Sequence, residues 1–154
     1  MPLPVLSPVM PLLQDALLSF VGTLGFALLY NAPRKALLSC AAIGMGGYVL
    51  HSILQQWGMS SASATFYGSL LVGLLGAFPA RRLQLPLVLF TITGIICMIP
   101  GIPAYKVLVY FNAGDILGGL RSAIEAGFGV GAIVIGIGAA RIVTDSEWGF
   151  ERDP

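Results

Sequence analysis

Ionisable side chains are so sparse in this 154-residue chain that each one interrupting an apolar run is a candidate for chemistry. His51, the sole histidine, stands near the end of one such run. Its reference pKa of about 6.5 suits a proton relay, and the plainer alternative is a hydrogen-bonded structural imidazole. Asp15, near the start of an earlier run, reads either as an interfacial carboxylate or as a second proton site. Arg121 and Glu125 are four residues apart at the start of the last run, so they share a helix face and can pair. Immersed in lipid, both would be functional candidates; if the helix enters the membrane later, both are solvated. Asp115 just before them reads as a structural acid at a helix start.

A different kind of chemistry is written in Pro100-Gly101-Ile102-Pro103, followed by Tyr105, Lys106 and Tyr110. Two prolines and a glycine inside an apolar stretch break the helical hydrogen-bond ladder and free backbone groups. Such groups are tolerated at membrane depth where protein or a water-filled cavity satisfies them, and transporters use them to hold substrates. An ordinary inter-helix loop is the alternative, with the tyrosines and Lys106 as interfacial anchors.

The elements that must position these residues are membrane-spanning helices. The chain is 56% hydrophobic and 10% charged, where a soluble domain carries about 25% charged residues. About 20 apolar residues are needed to cross a hydrocarbon core of about 30 Å as a helix. Leu12 to Tyr30, Ala36 to Leu54 and Ala62 to Ala80 meet that length, Leu85 to Ile99 is short and cut by the proline cluster, and Leu117 to Val143 is long enough to span with tilt. The predicted fold is an all-α integral membrane bundle of about five transmembrane helices with a broken or re-entrant fourth segment, or four spans if that segment does not cross. Residues 1–11, with Pro2, Pro4, Pro8 and Pro11, form a tail in which regular helix is disfavoured before Pro11; residues 12–143 form the helical domain and 144–154 a short charged tail. The tail lacks the basic start of a secretory signal and is not expected to be removed.

Arg34, Lys35, Arg81, Arg82, Arg141 and Arg152 fall on one side of a five-span arrangement, leaving Lys106 and Arg121 for the other. That bias predicts the N-terminus outside and the C-terminal tail, with Asp145, Glu147, Glu151 and Asp153, in the cytoplasm. Stripes of small residues (Gly119, Ala123, Gly127 and Gly131; Ala132, Gly136 and Ala140; Ser69, Gly73 and Ala77; Ala36, Cys40 and Gly44) suit close helix packing. A net charge of +1 without a basic stripe excludes nucleic acid as a partner. Cys40 and Cys97 read as free thiols, no metal or cofactor is expected, and no motif of a usual catalytic cluster is present.

Three stretches together resemble a known family: Val21 to Ala27 leading into Tyr30-Asn31-Ala32-Pro33-Arg34-Lys35-Ala36-Leu37, then Ser69-Leu70-Leu71-Val72-Gly73, then Ile99-Pro100-Gly101-Ile102-Pro103-Ala104-Tyr105. Their order and spacing resemble the C-terminal membrane half of the threonine/serine exporter family, and most closely its small split subunits, over roughly Asp15 to Ile142. The last run matches in hydrophobic character alone, so Arg121 and Glu125 rest on their own chemistry.

The resemblance implies a bacterial inner-membrane subunit that works with a larger partner resembling the N-terminal half of the exporter. It implies secondary export of a small carboxylate-bearing solute, threonine or serine or a dicarboxylate such as succinate. The candidate substrate-binding residues are then Asn31, Pro100, Gly101, Pro103, Tyr105, Lys106 and Arg121, with Glu125 and His51 as candidate proton-coupling groups. A non-transporting membrane scaffold is the competing reading, and a homo-oligomeric channel a third.

Overall fold

The computed structural model describes residues 9–144. Pro2, Pro4 and Pro8 of the expected tail, and Asp145, Glu147, Glu151, Arg152 and Asp153, lie outside the described residues. The described chain is helical: α1 (Val9–Leu29), α2 (Arg34–Gln56), α3 (Ser61–Leu83), α4 (Leu87–Ile95) prolonged by a 3-10 turn (Ile96–Met98), α5 (Gly101–Asn112) and α6 (Ile116–Thr144). The expectation that helix is disfavoured before Pro11 is corrected. Helix α1 begins at Val9, with Pro11 in its first turn, where a missing N–H removes no intrahelical bond.

Local signals explain the other boundaries. Pro33 and Pro86 immediately precede α2 and α4. The Ser60 hydroxyl caps α3 by accepting from the Ser63 N–H at 3.2 Å, and Asp115 accepts from the Gly118 N–H at 2.9 Å at the start of α6. Asn31, at φ 53°, and Gln84, at φ 54°, take the left-handed conformation that ends helices.

Small side chains build the interior, and large apolar ones face outward. Ala27, Ala36, Cys40, Ala64, Val72 and Ala140 are wholly buried, while Leu13, Leu17, Leu28, Leu38, Phe78, Leu108, Phe128 and Ile142 are exposed. That inversion is what a lipid-solvated bundle requires, because close backbone approach rather than water exclusion holds its helices together. α1, α2, α3 and α6 follow one another as neighbours, α4 wedges against α1, α2 and α3, and α5 packs chiefly on α6.

Among the described residues, four helices are long and apolar enough to cross a membrane, and α4 with α5, bent by 52°, makes up to five. Helix polarity decides how the bent pair runs. Gly136 meets Ser69 and Gly73 meets Ala140, so α3 and α6 are parallel with a constant offset of 67 residues. Two consecutive long helices can be parallel only if the chain recrosses the bundle between them. α4 does the first part of this, antiparallel to α3, with Phe90 at Gly76, Val72 at Gly94 and Met98 at Gly68. A re-entrant hairpin would have returned the chain to its starting end and left α6 antiparallel to α3.

The two ends of the bundle differ in charge. Lys35 and Arg82 line one cavity of about 610 Å³ between α2 and α3, and Arg81 donates to the Thr144 carbonyl at the end of α6. Arg34, Lys35, Arg81 and Arg82 therefore gather at one end, which the C-terminus of α6, with Arg141, also approaches.

Candidate functional site

The break between α4 and α5 lies at the edge of the bundle: Met98 before it is buried and Pro100 half-buried, whereas Ile99, Gly101 and Ile102 are exposed. Across it, Ile99 N–H reaches back to the Ile96 carbonyl at 3.4 Å, Gly101 N–H bonds the Ile99 carbonyl at 2.7 Å, and Ala104 N–H bonds Pro100 at 3.2 Å. Pro100 and Pro103 carry no N–H. Among the described residues, the Cys97 and Met98 carbonyls and the Ile102 N–H therefore have no backbone partner. The break exposes two acceptors at the negative end of α4 and one donor at the positive start of α5.

Three helices close around the end of α4. The Cys97 thiol donates to the Ser19 carbonyl at 3.8 Å and lies 3.6 Å from the Thr23 hydroxyl, both on α1. A Cβ on Gly68 would lie 2.6 Å from the Met98 sulfur, and one on Gly47 would lie 2.4 Å from Val72, so glycine at these two positions is what lets α2, α3 and the turn meet. Toward the end opposite the arginines stand Asp15 on α1 and Tyr48 and His51 on α2. The Tyr48 and His51 rings are 5.7 Å apart by centroid, and the buried His51 Nδ1 has no hydrogen-bond partner.

The structure divides the residues expected to bind substrate. Asn31 turns the chain between α1 and α2 at the arginine-rich end, roughly 20 Å from the break by the rise of α4 and its 3-10 turn. Pro100, Gly101 and Pro103 form the break itself, with the Pro100 ring where a Cβ on Gly129 of α6 would lie, 2.9 Å away. Tyr105, Lys106, Arg121 and Glu125 are exposed on α5 and α6. The α3–α6 offset carries Arg121 and Glu125 past the level of Ser61, the first residue of α3, so they belong to a projecting α5–α6 hairpin. Among the described residues no ion pair joins Arg121 to Glu125. Of the two proposed proton-coupling groups, only His51 lies at the level of the break.

Asp15, Ser19 and Thr23 escaped selection as a group, although their signal was present. They recur every four residues on a helix whose other polar side chain is Gln14, so they form one polar row on one face. Tyr48 and His51, three apart on α2, face that row. The small-residue stripes also separate. Ser69 and Gly73 pack on Gly136 and Ala140, Gly44 packs on Thr23, and Gly119 packs on Phe111, whereas a Cβ on Gly127 or Gly131 would meet nothing within 4 Å.

Residues 15–143 match the family described as Threonine/Serine exporter, ThrE. A Haemophilus influenzae protein described as uncharacterized is 36% identical over 134 residues, covering 82% of this chain and 45% of its own length. The chain thus spans less than half of that relative. No solved structure matches.

Proposed function

The chain belongs to the threonine/serine exporter family, and from that premise we propose that it is the small membrane subunit of a secondary exporter for a small carboxylate-bearing solute. The observation that carries the reading is the break at Pro100–Pro103, where an apolar helix pair bends by 52° beside α6 and leaves backbone groups without partners. The balance of those groups sharpens the substrate. Two free carbonyls suit an ammonium group, and the single Ile102 N–H, with Lys106 four residues on along α5, suits a carboxylate. An amino acid uses both ends of that arrangement; a dicarboxylate such as succinate uses one. The subunit sits in the bacterial inner membrane with its arginine-rich end in the cytoplasm.

With its partner in liposomes, the protein is expected to export threonine or serine faster than succinate under an imposed ion or proton gradient. Movement of none of the three under any gradient would sink the exporter reading and favour a scaffold. At matched membrane levels, Lys106→Ala and Arg121→Ala are each expected to slow solute efflux several-fold. Wild-type rates in both would detach the projecting hairpin from solute capture.

This reading assigns to a larger partner the part of the exporter that this chain, which covers 45% of the Haemophilus relative, does not span. It docks on the outer face of α6, where Gly127 and Gly131, open and four apart, lie among exposed Leu120, Ile124 and Ile135. Gly127→Leu with Gly131→Leu is expected to release the partner in detergent co-purification without unfolding this chain. Retention of the partner by the double variant would move the interface elsewhere.

A further inference from the structure

We propose that Asp15 and His51 form a paired proton site, built by α1 and α2 above the helix break and through which export is coupled. The coupling role rests on the exporter reading; the pairing rests on helix register. Thr23 and Gly44 mark closest approach, since a Cβ on Gly44 would lie 2.3 Å from the Thr23 hydroxyl. In an antiparallel pair, four residues back along α1 and four onward along α2 bring Ser19 level with Tyr48. One more such step brings Asp15 level with His51 and Ser52. Asp15 lies within electrostatic reach of both Tyr48 and His51, as this register requires.

Neither group is satisfied by the chain. Asp15 is half-buried and has no hydrogen bond or ion pair among the described residues. The His51 Nδ1 is buried and unpartnered. Both belong to helices long and apolar enough to cross a membrane, Asp15 fourteen residues and about 21 Å from the arginine-rich end of α1. A bare carboxylate there is expensive, and a proton shared with a neighbouring imidazole removes the charge or balances it.

Among the described residues, no lysine or arginine stands beside the pair. The groups facing the pair are Tyr48 from α2, the Cys97 thiol below it and, from α3, Gly68, which has no side chain. The described lysines and arginines lie toward the arginine-rich end or on the projecting hairpin. The step is a proton transfer alone. A proton from the end opposite the arginines binds an Asp15 carboxylate oxygen or His51 Nδ1, then leaves toward the arginine-rich end as solute moves outward. Each passage changes the charge by one beside the free Cys97 and Met98 carbonyls, which links occupancy to the break.

Because His51 is the only histidine, its ring signals report on this pair alone. In the full chain in lipid nanodiscs, with nitrogen-15 histidine, Asp15→Asn is expected to move the midpoint of the ring titration by about one pH unit. Glu125→Gln leaves it in place. In liposomes holding the complex and radiolabelled threonine, serine or succinate, Asp15→Asn and His51→Gln are expected to lose at least tenfold of the efflux driven by a pH gradient. Both keep solute exchange at equal pH.

An unmoved midpoint in Asp15→Asn, or unchanged driven efflux in both variants, overturns the proposal. Joint loss of exchange and driven efflux that Asp15→Glu does not restore also overturns it, assigning the pair to packing. A shifted midpoint in a complex that moves none of the three solutes upholds the pairing, removes the coupling role and defeats the exporter reading.

Discussion

Gly136→Leu is expected to cost this chain about 3 kcal/mol or more of stability, read as loss of the folded fraction in nanodiscs or as a lowered thermal midpoint. A Cβ on Gly136 would lie 2.0 Å from the Ser69 hydroxyl, 2.7 Å from the Phe66 carbonyl and 3.1 Å from the Leu70 amide. Two of these atoms are backbone, so no rotamer change relieves the clash and α3 and α6 must separate. Separation also breaks the Ser69 hydroxyl donation to the Ala132 carbonyl, at 3.4 Å, and the seat of Ala140 on Gly73. Gly138, two residues on in the same helix, is the internal control. A Cβ there meets nothing within 4 Å, so Gly138→Ala is expected to be neutral or to stabilise by up to about 1 kcal/mol. Equal damage from both substitutions would mean that α6 responds to lost glycine as such, and that its contact with α3 is not what holds the bundle.

That contrast marks what sequence reading reaches in a membrane bundle. Helix existence is legible because a lipid-facing helix must be apolar over a fixed length, and each long run became a helix within a few residues of its expected ends. The pairing of small-residue stripes is not legible, because Gly131 and Gly136 have the same local chemistry and differ only in what tertiary packing brings against them. The same holds for the site. The break was announced by two prolines, a local signal. Asp15 needed Gly44 to meet Thr23 before it could be set opposite His51, and that contact joins residues far apart in sequence. Glu125 and Arg121 drew attention by charge, yet the α3–α6 offset carries them beyond the first turn of α3.

The other large effect is expected at the break. Pro100→Ala with Pro103→Ala restores two backbone N–H groups where the chain now has none, which lets α4 continue as a straight helix. The Cys97 and Met98 carbonyls then regain helical partners, and the 52° bend that sets α5 against α6 loses its cause. Contacts made by the bend go with it, namely the Pro100 ring at Gly129 and the Phe111 ring at Gly119. The α3–α6 and α1–α2 seams involve none of these residues and persist, so membrane level and thermal midpoint should stay close to wild type. Solute efflux at matched protein level is expected to fall at least tenfold, with amide exchange slowing across residues 97–104 as the ladder closes. Wild-type efflux from a chain whose amides had become protected would show that solute passes without the break. Lost efflux with no gain in protection would show instead that the prolines act through the α6 contact, a distinction that Gly129→Ala, which crowds the Pro100 ring while keeping both prolines, can draw independently.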